Sequence, residues 1–320
     1  MLRIWNTHLK PYLLRQDCFR RRSRLKTWLK TSNGVIQVCP IELGLTERDE
    51  RCDQVKALTY LYLDDFKKTP ADWQEKGIYF RPTATVLDLE RFSSFDEYAR
   101  AVSKSSRGND NRSVKRAQRL GYKTRVIDPT TYQASIDGIR RSKLIRTGGL
   151  MADALRPRTA LIDSDERAVQ TPTCTVHWSV CWGAFREDRL LAYAFLMRCG
   201  NIVRTIDIMG HRDALKSGAL KLLLFDIIRS LLEDESAIFR GIRYFVYGAL
   251  EHGRDGLSAW KQRLQFNPSL LDMKLVFADL LPADFDEASY LGLNPDVKSA
   301  KLDGRLHYAV WGKREGRRYS

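Results

Sequence analysis

Apolar positions along the chain change their period several times, and each change marks an element. Thr175–Phe185, Leu190–Cys199 and Ile202–Met209 are three successive apolar runs, joined by the polar stretch Arg186–Arg189 and by Gly200–Asn201. Runs of this length, broken by turn residues, predict an antiparallel meander. Within Lys216–Leu232, Leu220, Leu223, Leu224, Ile227, Ile228, Leu231 and Leu232 recur at helical spacing, so a long amphipathic helix follows. Ile242–Tyr247 reads as a strand, Gly256–Leu264 as a helix and Leu270–Phe277 as a last strand.

The first half is patterned less regularly. Val35–Ile41 and Thr83–Leu89 read as strands, and Glu47–Phe66 as a helix carrying Cys52, Val55, Leu58, Leu61, Tyr62 and Asp65 on one side. Ser94, with Glu97 three residues on, is a capping-box start for a helix with Phe95, Tyr98, Ala99 and Val102. A second helix runs Asn109–Leu120 and stops at Gly121, after which Tyr122–Ile127 returns as a strand. Pro129 opens a helix to about Ile145, and 147–168 reads as a long connection. Strands and helices in this order predict an α+β fold with mixed pairing.

Composition changes that picture little, but charge changes it more. The chain has 320 residues, 43% of them hydrophobic and 29% charged, as in an ordinary folded domain. Its net charge of +15 concentrates anionic partners: nucleic acid, phosphorylated donors or an anionic membrane face. Residues 1–30 hold nine Lys or Arg against only Asp17, and 98–126 hold nine more against Asp110. A solvated basic surface is the alternative reading of both clusters. The first also predicts peripheral membrane contact through a basic, Trp-bearing extension. The six cysteines lack CxxC pairs, so neither a metal site nor a disulfide scaffold is expected. Dispersed thiols, and no apolar run near the roughly 20 residues that span a bilayer, predict a cytoplasmic protein.

Several segments carry a resemblance. The strand TVLDL (Thr85–Leu89) followed by SKSSRGNDNRSVKRAQRLGYKTRV (Ser103–Val126), the hairpin WGAFREDRLLAYAFLMRCG (Trp182–Gly200), DIMGHRDALKSGALKLLLFDIIRSL (Asp207–Leu231) and GLSAWKQRLQFNP (Gly256–Pro268) come in a shared order. In that order they resemble the GNAT superfamily, and within it the Fem-like aminoacyltransferase and N-acyltransferase branch, over about residues 79–277. The resemblance implies a mixed, mostly antiparallel sheet flanked by helices, with two GNAT-like lobes as one possibility. The expected parts are a basic extension (1–30), an N-terminal lobe (31–128), an acyl-donor lobe (129–277) and a small helical appendage (278–320).

On residues alone, the loop that opens the Lys216–Leu232 helix gathers free N–H groups, a helix dipole and the charges of Arg212 and Lys216. The resemblance makes Arg212, Lys216, Ser217, Gly218, Ala219 and Leu220 the donor-binding turn, although only Gly218 and Ala219 match the family's pattern well. The donor implied is acyl-coenzyme A, an acyl carrier or aminoacyl-tRNA, and a simple helix start is the other reading of the loop. Lys261, in the Trp260–Lys261 pair, is the residue implied to stabilise an oxyanion; the other reading is a solvated lysine. His252, Asp207 and Glu251 are candidate general bases, with His211 beside the donor loop. Arg107, Arg112, Lys115 and Arg116 are candidate contacts to a phosphorylated acceptor or to tRNA, and 112, 115, 116 and 119 share one helical face.

The tail FDEASYLGLNPDVKSAKLDGRLHYAVWGKREGRRYS (Phe285–Ser320) closely resembles a short module appended to bacterial glycosyltransferases and other cell-surface-related proteins. It is expected to be a helical hairpin with a docking or stabilising role. The function implied by these features is transfer of an acyl group to an amine of a sugar, amino acid or cell-envelope precursor. The alternative is a catalytically inactive GNAT-like protein that binds nucleic acid or a protein partner.

Overall fold

A computed structural model describes residues 37–42, 52, 55, 59, 62–63, 66, 83–143, 145–146, 149–150, 174–250, 255–274, 281–300, 302–313 and 315–320. The strands β1 (Gln37–Glu42), β2 (Ala84–Asp88), β3 (Tyr122–Ile127), β6 (His177–Arg186), β7 (Arg189–Cys199), β8 (Ile202–Gly210), β9 (Tyr244–Ala249) and β10 (Asn267–Lys274) form one eight-stranded sheet in the order β1-β10-β2-β9-β8-β7-β6-β3. Two short strands, β4 (Ile145–Arg146) and β5 (Gly149–Leu150), pair separately. Pairing in the large sheet is antiparallel except between β1 and β10 and between β8 and β9. The sequence-predicted α+β class therefore holds. Strands from both expected lobes are interleaved in this sheet, so the boundary near residue 128 does not separate two sheets.

The meander forms as the apolar runs predict. Its middle strands are buried along nearly their whole length because helices cover both faces. On one face, Trp178, Val180, Trp182 and Ala184 pack with residues of α1 (Phe95–Ser106), α2 (Asn109–Arg119) and α4 (Ala219–Glu233). On the other, Cys181, Phe185, Tyr193 and Phe195 pack under Ile136 and Ile139 of α3 (Gln133–Arg141). Farther along that sheet, Cys39, Ile41, Val86 and Val246 join Val55 and Leu63 from a helical segment.

Local chemistry fixes the helix ends. Ser94 Oγ accepts from Glu97 N at 3.3 Å, but the returning carboxylate of Glu97 binds Ser93 N at 2.8 Å, one residue earlier than the expected box. The helix read from Pro129 to Ile145 is shorter, Gln133–Arg141, because 128–132 form a turn in which Asp128 accepts from Thr130 N. Arg198, 1% exposed, donates to the carbonyls of Thr175, Gly200, Ile238 and Arg240, tying the approach to β6 to the loop after α4. Burial pushes this guanidinium down to about 10, so it remains charged at neutral pH.

The tail folds into α6 (Glu287–Leu293), α7 (Pro295–Ser299) and α8 (Gly304–His307), which continues as one π-turn through Gly312. Tyr290, Val297 and Tyr308 form its own small core, while Leu306 and Trp311 pack against the main sheet's cluster. Among the described residues, no helix is long and apolar enough to cross a membrane. The basic extension, residues 1–30, lies outside the described residues.

Candidate functional site

β8 and β9 run parallel and pair at only three positions, Ile202–Tyr244, Val203–Phe245 and Arg204–Val246. Both strands continue, β8 to Gly210 and β9 to Ala249, without further pairing to each other. The cause is visible on each side. In β8 the register against β7 shifts so that Phe195 faces Asp207 and Leu196 faces Thr205, leaving Ile206 as an extra residue. In β9 the register against β2 shifts across Tyr247 and Gly248, where Thr85 Oγ1 donates to both carbonyls at 2.7 and 3.0 Å. Gly248 takes φ 59°, a left-handed value that glycine adopts without penalty. A bulge bends its strand and increases the local twist. Two bulges at the same level in neighbouring strands therefore splay them into a wedge.

Polar groups collect at this wedge. Asp207, on β8, accepts from Tyr193 Oη at 2.9 Å and is ion-paired with the nearly buried Arg140 of α3. Tyr247, on β9, is half-buried, and desolvation followed by the nearby Asp207 charge holds its phenol well above the usual range. It therefore keeps its proton at neutral pH. Lys261, on α5 (Asp255–Arg263), is 2% exposed and not the solvated lysine of the alternative reading. Its Nζ donates to Ala249 O at 2.9 Å and lies 4.8 Å from the Tyr247 ring centroid. The indole N–H of neighbouring Trp260 is buried and has no acceptor among the described residues. Asp207 thus already carries two partners, Tyr193 and Arg140, where a proton-abstracting base would need its carboxylate turned to the substrate. His252 and Glu251 lie outside the described residues.

The loop read from sequence as donor-binding follows β8. His211–Ser217 form a turn with a short 3-10 segment, and Gly218 starts α4 without a side-chain cap, which leaves first-turn amides for an external acceptor. Part of the loop is already engaged: Arg212 N donates to Ser142 Oγ at 3.0 Å and Ala219 N to Ser217 Oγ at 3.3 Å. Arg212 and Lys216 are exposed, whereas Ala219 is buried and Leu220 partly so. Gly218 permits a close approach, but the neighbour is α2. At φ 93°, a Cβ on Gly218 would stand 2.2 Å from Ser113 O.

That contact joins the basic helix to the loop carrying Arg212 and Lys216, which the sequence presents separately. Arg116 of α2 donates to Lys216 O at 2.5 Å, so the basic helix lies along the loop after β8. Arg107, Arg112, Lys115, Arg116, Arg212 and Lys216 are all exposed. Arg112 is partly spent locally, on Asn109 Oδ1 at 2.5 Å and Arg107 O at 3.2 Å. Beneath, Asp110 is 1% exposed and meets Lys221 Nζ of α4 at 2.5 Å and Arg263 Nε of α5 at 3.1 Å. One buried carboxylate thus couples α2, α4 and the helix bearing Lys261. Sequence reading missed Arg140, Tyr193, Tyr247 and Asp110; the lone Asp110 amid nine basic residues was the one available signal.

No family model and no curated protein matches the sequence. Solved structures similar in chain path include the C-terminal DUF2156 domain of a putative lysylphosphatidylglycerol synthetase from Agrobacterium fabrum, at 12% identity and TM-score 0.35 over 58% of this chain and 57% of that one. A tandem GNAT protein from the clavulanic acid biosynthesis pathway is similar at 16% identity and TM-score 0.36, over 59% of this chain and 50% of that one. L-PGS from Bacillus licheniformis is similar at 13% identity and TM-score 0.39, over 58% and 57%. The chain spans about half the length of each of these proteins. Similarities of this size say nothing of donor or acceptor.

Proposed function

We propose that this chain is an N-acyl- or aminoacyltransferase of the Fem-like GNAT type, with its reacting centre in the wedge between β8 and β9. The observation that carries the proposal is the paired bulges at Ile206 and at Tyr247–Gly248. They leave edge amides unpaired between the two strands, where an acyl carbonyl can be polarised in a water-poor site. The donor is acyl-coenzyme A, an acyl carrier or aminoacyl-tRNA, with its phosphates on the uncapped start of α4 and the cationic surface of α2. The acceptor is an amine of a sugar, amino acid or cell-envelope precursor.

In the proposed reaction the neutral amine attacks the acyl carbon, and its nitrogen forms the new bond as the carbonyl becomes an oxyanion. The tetrahedral intermediate then expels the donor's thiolate or ribose hydroxyl. Lys261 steadies the oxyanion, and the proton-bearing Tyr247 supplies the leaving group's proton. His252, just after β9, takes the proton lost by the amine. Arg140 and Asp207 hold the β8 wall in place.

Thermal shift and donor-cleavage assays with acetyl-coenzyme A and with charged tRNA test the reading. A donor at about 100 times its Kd adds roughly 2.7 kcal/mol of stability. Lys261→Met should reduce cleavage by about 100-fold or more, the size of effect seen when one oxyanion donor is lost. Unchanged cleavage in a folded Lys261→Met protein removes Lys261 from catalysis. Salt-steep RNA binding lost in Arg112→Ala/Arg116→Ala, with neither donor cleaved, favours the inactive nucleic-acid-binding alternative.

A further inference from the structure

Away from the wedge, three metal-ligating side chains meet where the helical residue Cys52 lies against the start of β6. Cys52 Sγ is 3.4 Å from Cys174 Sγ, and Cys174 Sγ is 3.3 Å from His177 Nδ1. The ligand atoms of Cys52, Cys174 and His177 all lie within 4.8 Å of one another. Cys52 and His177 are fully buried, Cys174 is half-buried, and neither sulfur is in a disulfide. We propose that these residues bind a thiophilic divalent cation of the zinc class, which fastens the Cys52 segment to the sheet.

Geometry and donor chemistry agree on the ion. A tetrahedral zinc with bonds of about 2.3 Å to sulfur and 2.0–2.1 Å to nitrogen sets neighbouring ligand atoms roughly 3.5–3.8 Å apart. The two short separations at this site lie just inside that spacing and need only a small outward movement. Two thiolates and an imidazole select zinc over calcium or magnesium, which prefer oxygen ligands. The backbone carrying Cys174 is anchored: the next residue's carbonyl, Thr175 O, accepts from the buried Arg198 at 2.6 Å. The fourth position falls to water. Binding displaces both thiol protons to solvent and needs neutral His177 with its Nδ1 lone pair on the metal.

The test uses the full chain, purified under reductant, loaded with zinc and dialysed against metal-free buffer. One zinc per chain by atomic emission is expected. Cys174→Ser and His177→Gln should each weaken zinc binding by at least about tenfold, a loss that even outer-shell changes produce. Cys181→Ser, farther along β6, should retain the metal. Cobalt(II) added to the wild-type chain should give a thiolate-to-cobalt charge-transfer band, which keeps the test decisive if the variants fail to fold. No retained zinc and no such band overturns the proposal, as does undiminished zinc in both variants. A Cys52–Cys174 disulfide in the metal-free chain, seen as a mass lower by two hydrogens and reversed by reductant, also overturns it.

Discussion

Replacing Asp110 with asparagine removes a carboxylate that three helices share, and the expected cost follows from which charges are left behind. Asp110 is 1% exposed, whereas Lys221 and Arg263 are 25% and 39% exposed. Breaking a buried pair costs about 3–5 kcal/mol when the remaining charge is stranded away from water. Here the stranded groups are the two cations, which can hydrate, so Asp110→Asn should cost less, about 2–3 kcal/mol. The reciprocal change, Lys221→Met with Arg263→Met, leaves the buried carboxylate uncompensated and should cost the full 3–5 kcal/mol. Urea unfolding of both proteins, at low and at high salt, measures the two losses. Little salt dependence is expected, since buried pairs are weakly screened. A cost below about 0.5 kcal/mol for Asp110→Asn, the range of surface substitutions, refutes the reasoning. So does a double variant that is more stable than Asp110→Asn.

Gly218→Ala places a methyl group 2.2 Å from Ser113 O at φ 93°. The left-handed backbone alone costs about 1–2 kcal/mol, so unfolding should show a loss of at least about 2 kcal/mol, and an unchanged midpoint would mean that α2 does not lie against this turn. His307, whose Nδ1 is 2.7 Å from Tyr290 Oη, is held below its ordinary value of 6.5, mainly by burial. Because the undocked tail takes up the proton first, tail stability should be intact above about pH 6.5 and fall as pH drops through the folded value. Hydrogen exchange of the tail against pH checks this, and a profile identical in His307→Gln would sink it. Tyr247→Phe should preserve donor binding while slowing turnover; equal turnover would remove the phenol from the leaving-group step.

The element order was legible because it is written in local periods. Apolar runs between turn residues can bury themselves only as a meander, and Leu220–Leu232 at helical spacing only as a helix against it. Tyr122–Ile127 came out with the bounds read from sequence, since Gly121 before it takes the left-handed φ of 80° that ends a helix. Lys261 was singled out through resemblance. Its buried seat between Ala249 O and the Tyr247 ring was not, because that depends on where α5 lands.

Tertiary structure decided what touches what. The wedge needs two bulges from strands far apart in sequence, and a bulge shows no local period. Gly218 reads as an opening for a ligand phosphate, yet its missing Cβ admits the Ser113 carbonyl, which brings the basic helix against the loop of Lys216. Cys52 and Cys174 are 122 residues apart, and Asp110 and Arg263 are 153 apart. Spacing rules for metal sites and ion pairs work where the ligands share a turn or hairpin, and these side chains meet only after the sheet has closed.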